Sequence, residues 1–223
     1  MRLNFNQSSF DKYRNMYHSF GLGVSTGIDL PVESTGYHRD QDKAAGNLLD
    51  FVMGQYETYT PLQLSQYIST IANNGERKRM HLLKEIRSSS DTEEIGKLEK
   101  TVEPEVLNKI ETEGRYMNRV QQGFHAVMEP GGYGNGYISG WYRPNGKTGT
   151  SQSFIDTSGD GVIDTETITS SFIGYFPREA PKVSIVVTSP DSSHPNSSIN
   201  YASQVTYRIT GQVANAYVAR YGV

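Results

Sequence analysis

An α+β fold, an antiparallel sheet covered by helices, is what the order of patterns in this sequence predicts. Helical spacing dominates the first 128 residues, three strand-like runs lie between Asn145 and Pro190, and a long helical pattern closes the chain. Segregated helices and strands of this kind favour one antiparallel sheet with helices packed on it.

Each element has its own signal. Phe10, Tyr13, Met16, Tyr17 and Phe20 recur at helical spacing, and Gly21 and Gly23 then supply a stop. Gly27 to Pro31 reads as a short extended segment, followed by a polar loop to about Asn47. The clearest helix starts at Thr60. Thr60 serves as N-cap, Pro61 takes the first helical position, and Gln63 completes a capping box. Leu64, Tyr67, Ile68, Ile71 and Ala72 form its apolar stripe, and Gly75 ends it. Residues 76 to 103 are charged and serine-rich, which predicts a surface excursion. Helical patterns then run through Val106, Leu107 and Ile110, and through Met117, Val120, Phe124 and Val127. Five glycines between Gly131 and Gly140 suggest a flexible lead into the first strand. Phe172 to Phe176 and Val183 to Val187 form a hairpin pair, each run followed by a proline. The closing helix carries Tyr201, Val205, Ile209, Val213 and Tyr217 as its expected buried stripe.

Composition narrows the function classes. The 223 residues suffice for one sizeable domain or a large piece of one. A net charge of -3 without any Lys/Arg-rich run gives no sign of nucleic-acid binding. Cysteine is absent, so neither disulfides nor thiolate chemistry enter. At 35% the hydrophobic content is lean, as in a protein that borrows part of its core. No run of 18 apolar residues occurs, and the first residues lack the apolar core of a signal peptide. Any exporting segment is therefore expected outside these residues.

Chemistry concentrates at Lys147-Thr148-Gly149-Thr150, after a Pro-Asn-Gly turn signal. On an extended backbone Lys147 and Gly149 share one face, and Thr148 and Thr150 share the other. Glycine within a strand marks a place where a ligand or another backbone comes close. A cation, two hydroxyls and backbone N–H groups suit a substrate with a carboxylate beside a carbonyl. A second feature is Asp156 to Thr167, with oxygens at positions 1, 3, 5 and 9 of an EF-hand-like loop and glycine at position 6. Thr167 stands where a bidentate glutamate belongs, so an acidic hairpin tip is the plainer reading and no metal is assigned.

Four stretches in order resemble the C-terminal half of the transpeptidase domain of class B penicillin-binding proteins. They are Phe20-Gly21-Leu22-Gly23 with Thr26 to Pro31; Gly54-Gln55 with Thr60 to Leu64 and Ile71 to Gly75; Gly146 to Thr150; and Phe172 to Pro177. The resemblance implies the penicillin-binding-protein and serine β-lactamase type of fold over residues 1–223, here its C-terminal portion. It implies a D,D-transpeptidase of peptidoglycan synthesis that forms a serine acyl-enzyme with D-Ala-D-Ala stem peptides and is acylated by β-lactams, with no cofactor. Lys147, Thr148 and Thr150 would be catalytic, and Lys147, Thr148, Gly149 and Thr150 substrate-binding. A β-lactam sensor domain and a serine β-lactamase are the alternatives.

The resemblance also implies a Ser-x-x-Lys and a Ser-x-Asn motif before Phe20, and there is no room for both. Ser9-Phe10-Asp11-Lys12 matches the first, yet only seven residues separate Lys12 from Phe20. Ser198-Ile199-Asn200 matches the second but follows the lysine strand, where helix capping explains it. The nucleophile is therefore expected on an N-terminal remainder of the same protein, which would also anchor the domain outside the cell membrane.

Overall fold

The computed structural model describes residues 7–38, 45–92 and 94–223. Helix α1 spans Gln7–Ser19, α2 Ala45–Met53, α3 Pro61–Ala72, α4 Gly114–Met128 and α5 Tyr201–Tyr221. Strands β5 (Asn145–Ile155), β6 (Thr165–Phe176) and β7 (Val183–Ser193) form one antiparallel sheet in that order. Two small pairs lie apart from it: β1 (Glu76–Lys78) with β4 (Val106–Lys109), and β2 (Glu85–Arg87) with β3 (Leu98–Thr101).

Alternation along β6 explains why the sheet is covered on both faces. Ile173 and Tyr175 join Ile68, Ile71, Met117 and Phe124 of α3 and α4 in one core. Phe172 and Phe176 point the other way, into a second core with Met128, Tyr137, Ile138 and Ala214. Each fully buried aromatic or aliphatic side chain contributes about 1.5–3 kcal/mol. The hairpin register is fixed by these two opposed sets, because a one-residue slip would exchange them.

The α3 cap is as expected. Thr60 Oγ1 accepts from the Gln63 N–H at 3.2 Å, and Gln63 Oε1 accepts from the Thr60 N–H at 3.0 Å. Two glutamines on this helix, Gln63 and Gln66, are fully buried and act as staples. Gln63 donates to the Val24 and Thr35 carbonyls, and Gln66 to those of Thr26 and Lys78.

Several expectations fail. Val106–Lys109 is strand β4 rather than helix, since its partner β1 supplies the ladder and only Ile110 enters the core. Gly27 to Pro31 is irregular; Asp29 turns its carboxylate onto the Leu82 and Leu83 N–H groups instead of joining a sheet. The polar loop ends sooner than expected, in α2, whose Phe51 stacks on Phe10; residues 39–44 of that loop lie outside the described residues. The 76–103 excursion is largely exposed, as expected, but carries β1, β2 and β3. The glycine-rich lead is a set of turns with Tyr137 and Ile138 buried, and Tyr137 stacks on Phe172 at 4.9 Å.

Helix α5 presents the reverse of its expected face except at Tyr217, which packs on the second core against Phe176. Ala202, Thr206, Thr210 and Ala214 are buried against the sheet, while Tyr201, Val205, Ile209 and Val213 are exposed. Small residues let the helix lie close, and the threonine hydroxyls hide by donating to the Ala202 and Thr206 carbonyls.

Candidate active site

Strand β5 is an edge strand, so one side of its backbone is free of sheet pairing. Its register sets Lys147 opposite Ile173, Thr148 opposite Phe172, Gly149 opposite Ser171 and Thr150 opposite Ser170. Direct partners in an antiparallel pair share a face, so Lys147 and Gly149 lie on the α3 side and Thr148 and Thr150 toward the α5 side. This is the division that alternation predicted.

A cavity of about 660 Å³ opens on the α3 side of β5. Lys147, Thr148 and Gly149 line it, with Gly54, Gln55, Glu57 and Tyr59 forming another wall. Its floor is a field of small hydroxyls from three strands: Ser151, Ser153, Thr169, Ser171 and Thr188. Among the described residues lining it, Lys147 carries the only positive charge. Lys147 is exposed, and its ammonium donates to the Thr148 carbonyl. Thr150 is not part of the lining, but its carbonyl accepts from Gln55 Nε2 at 3.5 Å.

Gly149 is not required by the fold. Its backbone is not left-handed, and a Cβ there would meet nothing nearer than Ser171 at 3.8 Å. Gly146 differs, since its Cβ would fall 2.6 Å from the Phe172 ring. One glycine serves packing, and the other leaves open space beside the lysine.

The remaining sequence candidates lie elsewhere. Ser9 and Lys12 sit on α1 and do not line the cavity. Asn200, not Ser198, caps α5, accepting from the Ser203 N–H at 2.9 Å. In the 156–164 turn the carboxylates face the loop's own donors. Asp156 accepts from the Gly159 and Gly161 N–H groups, and Asp164 from Thr157 and Ser158. The Thr165 and Thr157 hydroxyls hold Asp164 well below the usual carboxylate range, at about 2. The Gln55–Tyr59 wall and the hydroxyl floor were not assigned from sequence. The recurrence of Ser151/Ser153 and Thr169/Ser171 at every second position was their signal.

With this geometry in place, comparison with known proteins is decisive. The family model described as the penicillin binding protein transpeptidase domain matches residues 2–213. The chain belongs to this family. Penicillin-binding protein 2A of Bacillus subtilis is 42% identical over 214 residues, which are 96% of this chain and 29% of that protein. The structure of penicillin-binding protein 2B from Streptococcus pneumoniae superposes with a TM-score of 0.81 at 28% identity, covering all of this chain and 35% of that one. A more distant relative is the peptidoglycan D,D-transpeptidase MrdA of Acinetobacter baumannii, 27% identical over 90% of this chain and 31% of that protein. The chain thus spans about a third of the length of these penicillin-binding relatives, and the expected transpeptidase fold holds.

Proposed function

We propose that this chain is the C-terminal portion of a peptidoglycan D,D-transpeptidase domain and supplies the substrate-binding wall of a serine acyl-transfer site. The observation that carries this reading is Gly149: a glycine the fold does not need, on an edge strand, beside the lysine that lines the cavity. A peptide or β-lactam lying along β5 needs that space.

A serine on polypeptide N-terminal to this chain attacks the carbonyl of a D-Ala-D-Ala stem peptide. The terminal D-alanine leaves, and an amine of a neighbouring stem then displaces the serine to form the cross-link. Lys147 attracts the terminal carboxylate, and the Thr148 and Thr150 hydroxyls, on the other face of the edge strand, hydrogen-bond that carboxylate at the rim or the neighbouring motif on the N-terminal polypeptide. The Thr150 N–H provides half of the oxyanion hole. Its carbonyl already accepts from Gln55, a group outside the sheet, and a strand residue's N–H and C=O address the same edge. The N-terminal polypeptide covers the exposed stripe of α5 and anchors the domain on the outer side of the cell membrane. Among the described residues no helix is long and apolar enough to do so.

Lys147→Ala in the complete protein tests the assignment. Lys147 is exposed, so the thermal midpoint should stay unchanged, while acylation by a fluorescent penicillin should fall at least ~100-fold, the range seen when an electrostatic contact to reacting charge is removed. Acylation at the wild-type rate would remove Lys147 from the mechanism.

A further inference from the structure

The wall facing β5 is a segment without helix or strand of its own from Gln55 to Tyr59, apart from one bridge to Tyr37. Such a segment depends on side chains for much of its placement. Glu57 is its anchor: the carboxylate is 1% exposed, and Arg14 of α1 donates to Oε1 from Nε at 3.1 Å and from Nη2 at 2.7 Å. Oε2 accepts from the Tyr59 hydroxyl at 3.3 Å and lies 3.4 Å from His38 Nδ1. His38 Nε2 is buried without a partner among the described residues. Arg14 is itself seated 5.6 Å from the centre of the Phe51 ring, which stacks on Phe10 and meets Tyr56 edge to face.

Gly36 fixes the other side of the segment. Its φ is +82°, and an added Cβ would fall 2.0 Å from the Thr58 carbonyl oxygen. The Tyr37 and Thr58 backbones then exchange two hydrogen bonds, of 3.1 and 3.2 Å. From this pinned position Gln55 reaches the Thr150 carbonyl.

We propose that Glu57 is a positioning residue: its clamped carboxylate fixes the Gln55–Tyr59 wall against α1 and so sets the width of the groove that receives substrate along β5. Buried ion pairs contribute little net stability but lose much when one partner goes, so a charge here serves placement better than it serves stability. The inference rests on the transpeptidase reading above.

Glu57→Gln in the complete protein, probed with a fluorescent penicillin, tests it. The account expects the dissociation constant of the complex formed before acylation to rise about tenfold, the saturating acylation rate to stay within about twofold, and the titratable amplitude to remain full. Tyr59→Phe, a milder change on the same carboxylate, should raise that constant about threefold and stands in if Glu57→Gln does not fold. An unchanged dissociation constant overturns the proposal. So does a reduced amplitude with wild-type binding in the surviving fraction, because that is loss of fold and not of placement. Failure of the wild-type protein to be acylated overturns the transpeptidase reading itself.

Discussion

At the scale of single residues, two glycines that the fold needs stand apart from one that it does not. Gly146 is closed off by Phe172 and Met128, and Gly36 by Thr58 and by its left-handed backbone, so the fold explains both. Gly149 has room for a methyl group and an ordinary backbone. Gly149→Ala should leave the thermal midpoint within a degree or two, since an unstrained exposed substitution changes stability by about 0.5 kcal/mol or less. Acylation by penicillin should nevertheless fall about tenfold or more, because the methyl occupies ligand space. Parallel measurement of melting and acylation checks this, and equal losses in both would show that the glycine is structural after all. The proposed motif, Lys147 to Thr150, could be named from sequence because a lysine, two hydroxyls and a glycine suit the proposed chemistry by residue type alone. Glu57 was not legible, because an isolated glutamate reads as surface until Arg14, 43 positions away, is placed beside it.

At the scale of elements, the hairpin β5–β6 shows what alternation can and cannot reveal. The opposed faces of β6 fixed its register, and the cap of α3 was readable from Thr60, Pro61 and Gln63 alone. Strand β4 was not readable, since Val106, Leu107 and Ile110 fit helical spacing as well as a strand whose partner is about thirty residues away. The stripe of α5 misled for a different reason: threonine counts as polar in any pattern, yet Thr206 and Thr210 are wholly buried with their hydroxyls bonded one turn back. The turn joining β5 to β6 makes a pH prediction. Asp164 sits at about 2 when folded, against about 3.9 for a free aspartate. A depressed carboxylate stabilises its turn above the unfolded value and loses that effect as pH falls through the folded one. The turn should therefore persist at pH 4 and loosen toward pH 2. Following the Asp164 carboxyl carbon by NMR should give a midpoint near 2, whereas one near 3.9 would mean that its donors are not engaged in solution.

At the scale of the whole molecule, exposed apolar groups and a short sheet both point beyond this chain. Tyr201, Val205, Ile209 and Val213 lie open on α5, β5 and β7 are both edges without a further strand among the described residues, and 35% hydrophobic residues are few for so large a piece. Exposed apolar patches of this kind mark surfaces that something covers. The relatives, about three times as long, are consistent with the rest of one domain doing so. In the arrangement proposed above, β5 and the pinned Gln55–Tyr59 wall would bind the substrate, and polypeptide outside this sequence would react with it. Peptide mapping of the complete protein after penicillin treatment tests that division of labour most directly. The account predicts a penicilloyl adduct on a serine N-terminal to residue 1 and none within 1–223; an adduct on Ser9, or on any other serine of this chain, would contradict it.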